Sequence, residues 1–219
     1  MSEIVIFGNT EMAELVHFFF ENDSEHQVKA FTVDGAYVKE NSFRGLPIVA
    51  FEEVSKSFPA DTYQMFIATG YAKLNSLRKQ KFLEAKSLGY KMPSYVCSKA
   101  FSWGSNPIGE NTLILEGVVI QPFVEIGNNV FIWSENHIGH HTKIRDHVFI
   151  TSHVVIGGGV EIGEQCFLGL NATIRDHIKI GDRCVLGAGA MIMADAEADG
   201  LYVCSATERS KIKSSRLRS

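Results

Sequence analysis

The sequence predicts two architectures in series: a small α/β domain on a parallel sheet, then a parallel β-helix. Strand and helix patterns alternate as far as residue 92. From Ile108 to Ile192 every sixth residue is aliphatic, leucine at Leu168 and Leu186 and isoleucine at every other step. Glycine follows that aliphatic at 109, 127, 139, 157, 163, 169, 181 and 187. A strict period of six fits neither a helix nor a long two-fold strand. It marks a solenoid whose coils stack.

In the first region EIVIF reads as a buried strand closed by Gly8, and TEMAELVHFFFEN as a helix with Thr10 at its N-cap. QVKAFTVD is the next strand, ending at Asp34, and QMFIATG a third, ending at Gly70. AKLNSLRKQKFLEAKSLG is an amphipathic helix that Gly89 terminates. Such alternation gives a parallel sheet with crossover helices.

In the second region each hexad supplies one flat side and one corner. The aliphatic points inward, supported by a small or branched residue two places earlier, such as Val118, Val148, Cys166 or Ala172. Three sides close a coil, so residues 18 apart stack at the strand spacing of ~4.8 Å. Each buried isoleucine contributes about 1.5–3 kcal/mol. Cys166 and Cys184 stack in the same way as small inward thiols. The expected organisation is a domain over 1–92, the β-helix over 93–195 with 93–107 covering one end, and an extension over 196–219. Arg209, Lys211, Lys213, Arg216 and Arg218 make that extension basic, a solvated tail able to meet phosphates.

The chain has 219 residues, 45% hydrophobic and 21% charged, with a net charge of −4. This balance argues against a dedicated nucleic-acid or anionic-membrane binder. No apolar run approaches the ~20 residues of a membrane span. MSEIVIFGNT lacks the basic start and cleavage site of a signal peptide, so a cytoplasmic protein without membrane insertion is expected. Cys97, Cys166, Cys184 and Cys204 form no CxxC pair, and no structural zinc site is expected.

NHIGHHTKIRDHVFITSH, residues 136–153, holds five of the eight histidines. On a prism they diverge to different sides, so one shared metal within a subunit is not expected. The stack is more telling. Gly157, Gly158 and Gly159 lie over Gly139, His140 and His141, leaving a slot lined by backbone. Asn136 and Thr142 are polar at inward positions where other hexads carry valine, and a polar exception in a repeat points to function. Histidine is the natural base near neutral pH, which makes His140 the candidate. Alternatively the glycines are only a permissive corner.

The hexad array with NHIGHH and CFLGLNATI resembles the left-handed β-helix acyltransferases. IVIFGNTEMA, FTVD and FIATGYAKL narrow the resemblance to bacterial sugar acetyltransferases that join a Rossmann-like domain to such a helix. Among these are the UDP-4-amino-sugar N-acetyltransferase of the bacillosamine pathway and the sialic acid O-acetyltransferases. The resemblance implies a homotrimer that takes acetyl-CoA as co-substrate in clefts between neighbouring prisms, with His140 as general base. The family's acidic residue after the base is His141 here, and Asp146 or a neighbouring subunit is left to replace it. Cofactor contacts are implied at Phe149, Gly158, Leu170 and Ala188. The bacillosamine enzyme has histidine at the place of Phe149, and the family's C-terminal Gly-x-Pro-Ala turn reads CSAT. The nucleotide is expected at Asn9, Thr10, Asp34, Gly70 and Tyr71, where a turn opening a helix offers free N–H groups to phosphate. GNTEMA lacks two glycines of GxGxxG, which argues against a dinucleotide.

The expected reaction is acetyl transfer to the amine of a nucleotide-linked amino sugar, of the 4-amino-4,6-dideoxy type. The alternatives are O-acetylation of a sialic-acid-type sugar, acetylation of serine or another small molecule, and a non-catalytic scaffold. A γ-carbonic-anhydrase-like metal protein would need His137, His141 and His153 to converge across a subunit interface.

Overall fold

β1 (Glu3–Phe7), β2 (Gln27–Val33), β3 (Ser42–Phe43), β4 (Leu46–Ala50) and β5 (Tyr63–Ile67) form one sheet in the order β3-β4-β2-β1-β5. Its pairs are parallel except for the β3–β4 hairpin. The structure is a computed structural model that describes residues 2–104, 106–209 and 212. α1 (Glu11–Asn22) buries Ala13, Val16 and Phe20 against this sheet. The strand β4 is absent from the sequence expectation, because Pro47 weakens the strand signal of LPIVA.

α3 (Ser76–Ser87), which follows the single turn α2 (Val54–Ser57), starts four residues later than its pattern predicts. The reason is tertiary. Lys73, Leu74 and Asn75 are all left-handed, with φ of 50°, 52° and 62°. The prism holds that strained run in place. Asn75 Nδ2 donates to the Cys166 carbonyl at 3.2 Å, and Gln165 Nε2 donates to that of Leu74 at 3.3 Å. Gly89, at φ 89°, ends α3 as expected.

The rest of the chain is a left-handed β-helix of two-residue strands on three faces. The first face carries Tyr95–Val96, Leu113–Ile114, Phe131–Ile132, Phe149–Ile150, Phe167–Leu168, Val185–Leu186 and Leu201–Tyr202. The second runs from Phe101–Ser102 to Met191–Ile192, and the third from Glu125–Ile126 to Lys179–Ile180. Pairing in steps of 18, such as Phe131 with Phe149 and His137 with Val155, stacks the inward aliphatics into one column. Strand pairing continues beyond residue 195, with Ile180 bridged to Ala196 and Val185 paired with Leu201.

Each corner turns through a left-handed residue three places after the aliphatic. Asn111, Asn129, His141, His147, His153, Asn171 and His177 sit there, with φ between 52° and 63°. Asn and His are enriched in this conformation. The backbone therefore accounts for His141, His147, His153 and His177 as turn residues. It makes no such demand at His140.

The α/β domain docks on the first face. Phe66 stacks on Phe131 at 5.9 Å, and Phe131, Phe149 and Phe167 form a ladder beneath it. Arg78 is fully buried in this seam. Its Nη2 donates to the carbonyls of Asn129, His147 and Val148 at 3.2–3.3 Å, and its Nη1 to that of Gly70 at 3.4 Å. The guanidinium lies 4.3 Å over the Phe131 ring. Burial pulls its pKa down to about 9, still a cation at neutral pH. Carbonyl dipoles and the ring face take the place of a counter-ion.

Candidate functional site: a strand-end cavity and a glycine shelf

A cavity of about 460 Å³ opens at the carboxyl ends of β1, β2 and β5. The connections leaving β1 and its neighbours diverge here, which makes it the usual ligand position in an open parallel sheet. Asn9, Thr10, Asp34 and Gly70 all line it, beside Gly8, Thr69, Tyr37 and Lys39. Gly8 has to be glycine: at φ 133° a Cβ would lie 2.7 Å from the Ala68 carbonyl oxygen. Thr10 is the N-cap of α1, but its hydroxyl makes no capping bond. The hydroxyl and the first-turn amides thus remain available to an anion. Asp34 Oδ1 accepts from Lys81 Nζ at 2.5 Å. The buried Thr69 hydroxyl has no partner among the described residues. Lys39 and Tyr37 follow β2 without any motif, and only the closing of the cavity reveals them.

Tyr71 does not join this group. It turns towards the prism, with its ring 5.1 Å from Phe149 and 4.8 Å from Phe167. Phe149, implied as a cofactor contact, is only 2% exposed and belongs to the core between the two regions. Its own chain covers it with Arg78, Tyr71 and Trp133, so no surface is left for a ligand.

The second station is the edge between the second and third faces. His140 is exposed there, and its backbone N–H donates to Gln121 Oε1 at 2.9 Å. Its ring packs against Gly158. A Cβ at Gly158 would fall 2.5 Å from His140 Cε1 and 2.7 Å from Nε2. The coil ladder uses the amides of Gly157 and Gly159, which donate to the carbonyls of Ile174 and His140. On another edge the amides of Asn128 and Glu164 are capped by Asp146 and Asp182, whereas the Gly158 N–H has no such cap among the described residues. The imidazole edge of His140 thus packs against a glycine whose N–H has no hydrogen-bond partner among the described residues.

The readings of Asn136, Thr142 and Asp146 need correction here. Asn136 and Thr142 serve the backbone: Asn136 Oδ1 accepts from the Val154 N–H at 2.6 Å, and the Thr142 hydroxyl donates to the Gly157 carbonyl at 3.1 Å. A buried polar group needs a partner, and that need explains these polar exceptions. Asp146 accepts from Asn128 on the edge between the third and first faces, so it does not support His140. His140 Nδ1 instead meets His141 Nδ1 at 3.1 Å. Leu170 and Ala188 are exposed on the edge between the first and second faces, so within one chain they do not meet Gly158. His137, His141 and His153 lie on one face and two different edges, and no group of three metal-binding side chains occurs among the described residues. His177, outside the histidine-rich stretch and without a motif of its own, sits one coil above the shelf, its Nδ1 2.5 Å from where a Gly159 Cβ would be.

Residues 108–140 and 123–158 match the bacterial transferase hexapeptide family (six repeats), and 159–194 match the hexapeptide repeat of succinyl-transferase. These matches together span residues 108–194 of the prism. No curated protein sequence matches the chain. Among solved structures, the acetyltransferase domain of PglB from Neisseria gonorrhoeae is similar over 90% of this chain and 93% of its own, at 21% identity and a TM-score of 0.78. WeeI from Acinetobacter baumannii is similar over 92% and 96%, at 21% identity and a TM-score of 0.76. A His-to-Asn mutant of perosamine N-acetyltransferase from Caulobacter crescentus, solved with CoA and GDP-perosamine, is similar over 92% and 93%, at 21% identity and a TM-score of 0.72. At this identity the likeness establishes the shared fold across both regions.

Proposed function

We propose that the protein transfers an acetyl group from acetyl-CoA to the amine of a nucleoside-diphosphate-linked amino sugar, of the 4-amino-4,6-dideoxy type. His140 is the general base. The observation that carries the reading is the exposed His140 ring packed by its Cε1–Nε2 edge against Gly158, a residue whose N–H is uncapped. The acceptor nitrogen attacks the thioester carbon, the carbonyl oxygen gathers charge beside the Gly158 N–H, and Nε2 takes the amine proton. A backbone donor aimed at a developing oxyanion is among the strongest stabilising effects in such catalysis.

The acceptor's nucleotide sits in the strand-end cavity of residues 1–92, its diphosphate at the start of α1 and its ribose or base against Asp34. That domain covers the first face, whereas His140 stands on the opposite edge of the prism. The two stations of one chain cannot share a substrate, and the acceptor held by one copy meets the base of another. A homotrimer packed through the second face meets this need. That face exposes Phe101, Val119, Val155 and Met191, a stripe suited to an interface. It is flanked by both functional edges, so Leu170 and Ala188 of one copy come beside Gly158 of the next. There they line the acetyl-CoA cleft.

The test is thiol release from acetyl-CoA with UDP-, dTDP- and GDP-linked amino sugars, and with sialic acid and serine as controls. Turnover is expected with a nucleotide-linked amino sugar and a fall of ~10²-fold or more in His140→Ala. Release with sialic acid or serine alone, or full turnover in the variant, refutes the proposal.

A further inference from the structure

We infer that His141 is a positioning residue that holds the proton of neutral His140 on Nδ1 and so keeps Nε2 open towards the shelf. The inference rests on His140 as the base proposed above. The two Nδ1 atoms are 3.1 Å apart, so one must donate and the other accept. The rings stand at 87° with centroids 5.2 Å apart. His140 rests its Cε1–Nε2 edge against Gly158, and Gln121 holds its backbone amide. His141 is fixed by a left-handed backbone at φ 59° and by the Phe123 ring 4.7 Å away.

Of the two proton arrangements, only one leaves a lone pair at His140 Nε2. In it His141 carries its proton on Nε2, the commoner site of a neutral imidazole, and offers its Nδ1 lone pair to His140 Nδ1–H. The cycle then balances. As the new C–N bond forms, the acceptor proton passes to His140 Nε2. The resulting imidazolium donates from Nδ1 to neutral His141. When the C–S bond breaks, the thiolate takes the Nε2 proton, and both imidazoles return to their starting state. His141 gains no proton in net. It supplies through an uncharged acceptor the orientation that a carboxylate supplies elsewhere.

The experiment uses full-length His141→Phe and His141→Glu. Phe123 occupies the same turn position one coil earlier at φ 66°, so phenylalanine is compatible with this backbone. Imidazole ¹⁵N spectra of His140 report its tautomer whether or not the protein turns over. The expected result is Nδ1–H in the wild type and mainly Nε2–H in His141→Phe. kcat falls about tenfold at unchanged KM, less than the ~10²–10⁴-fold that the base itself supplies, and His141→Glu restores it. An unaltered His140 spectrum in His141→Phe overturns the inference, as does a raised KM at constant kcat. Full turnover of His140→Ala would instead remove the base itself, while the spectra still decide on the pair.

Discussion

Gly157 and Gly158 are neighbours in one corner, yet alanine should act on them in opposite ways. At Gly158 the new Cβ would meet His140 Cε1 at 2.5 Å. Ordinary carbon contacts lie at ~3.5–4.0 Å, so the ring has to retreat by about 1 Å. The obstacle is an exposed side chain, and the backbone at Gly158 is not left-handed. Stability should therefore change by less than about 1 kcal/mol, because an alanine of compatible conformation itself adds ~0.4–1 kcal/mol. Activity should not survive as well. A displacement of ~1 Å at a reacting group can cost ~10²-fold. At Gly157 the obstacle is the next coil: a Cβ would lie 2.5 Å from the Asp176 amide nitrogen and 2.7 Å from its Cα. Backbone cannot turn away, and overpacking of this kind costs about 1–3 kcal/mol. Thermal unfolding and steady-state thiol release on both variants give the contrast, with Tm moving about 2–4 °C per kcal/mol in a chain of this size. Wild-type kcat in Gly158→Ala would refute the shelf as the reaction site. A stability loss equal to that of Gly157→Ala would make the shelf purely structural.

Burial pulls the His147 pKa down from 6.5 to about 4, and the ring stays neutral against Asn129 and Phe82. Between those values the unfolded chain binds a proton that the native state refuses. This contribution to stability is full above pH 6.5 and declines as the pH falls towards 4, by roughly 2–3 kcal/mol. Urea unfolding at pH 7 and 4.5 should show a smaller difference in His147→Asn, which keeps a residue suited to the left-handed turn. An identical difference would mean that His147 does not titrate as a buried neutral ring. Phe149→Ala should cost about 3–5 kcal/mol through the cavity it leaves, with KM for acetyl-CoA unchanged. A raised KM at full stability would return Phe149 to the cofactor site.

The prism could be read residue by residue because its signal is local and redundant. Each inward aliphatic answers to the same constraint as those 18 places away, so one period names them all. The cavity residues Asn9, Thr10, Asp34 and Gly70 were legible for a related reason: strand ends of a parallel sheet must meet at one side. Tyr71, one residue further, was not. It is followed by a left-handed run at 73–75 that contacts with the prism hold in place. Asn136 and Thr142 misled because a polar residue at a core position has the same appearance in sequence whether its partner is a ligand or the backbone of the next coil.

By itself the sequence determined the column of isoleucines, the three-sided coil and the placing of three glycines over His140, since a repeat of six converts sequence distance directly into height. The tertiary structure decided what lies against each outward side chain. It put the α/β domain on the first face, buried Phe149, turned Asp146 away from His140 and brought His141 Nδ1 to it. Such contacts join residues through space at separations no period encodes, and burial and backbone hydrogen bonding select among them only once the chain has closed.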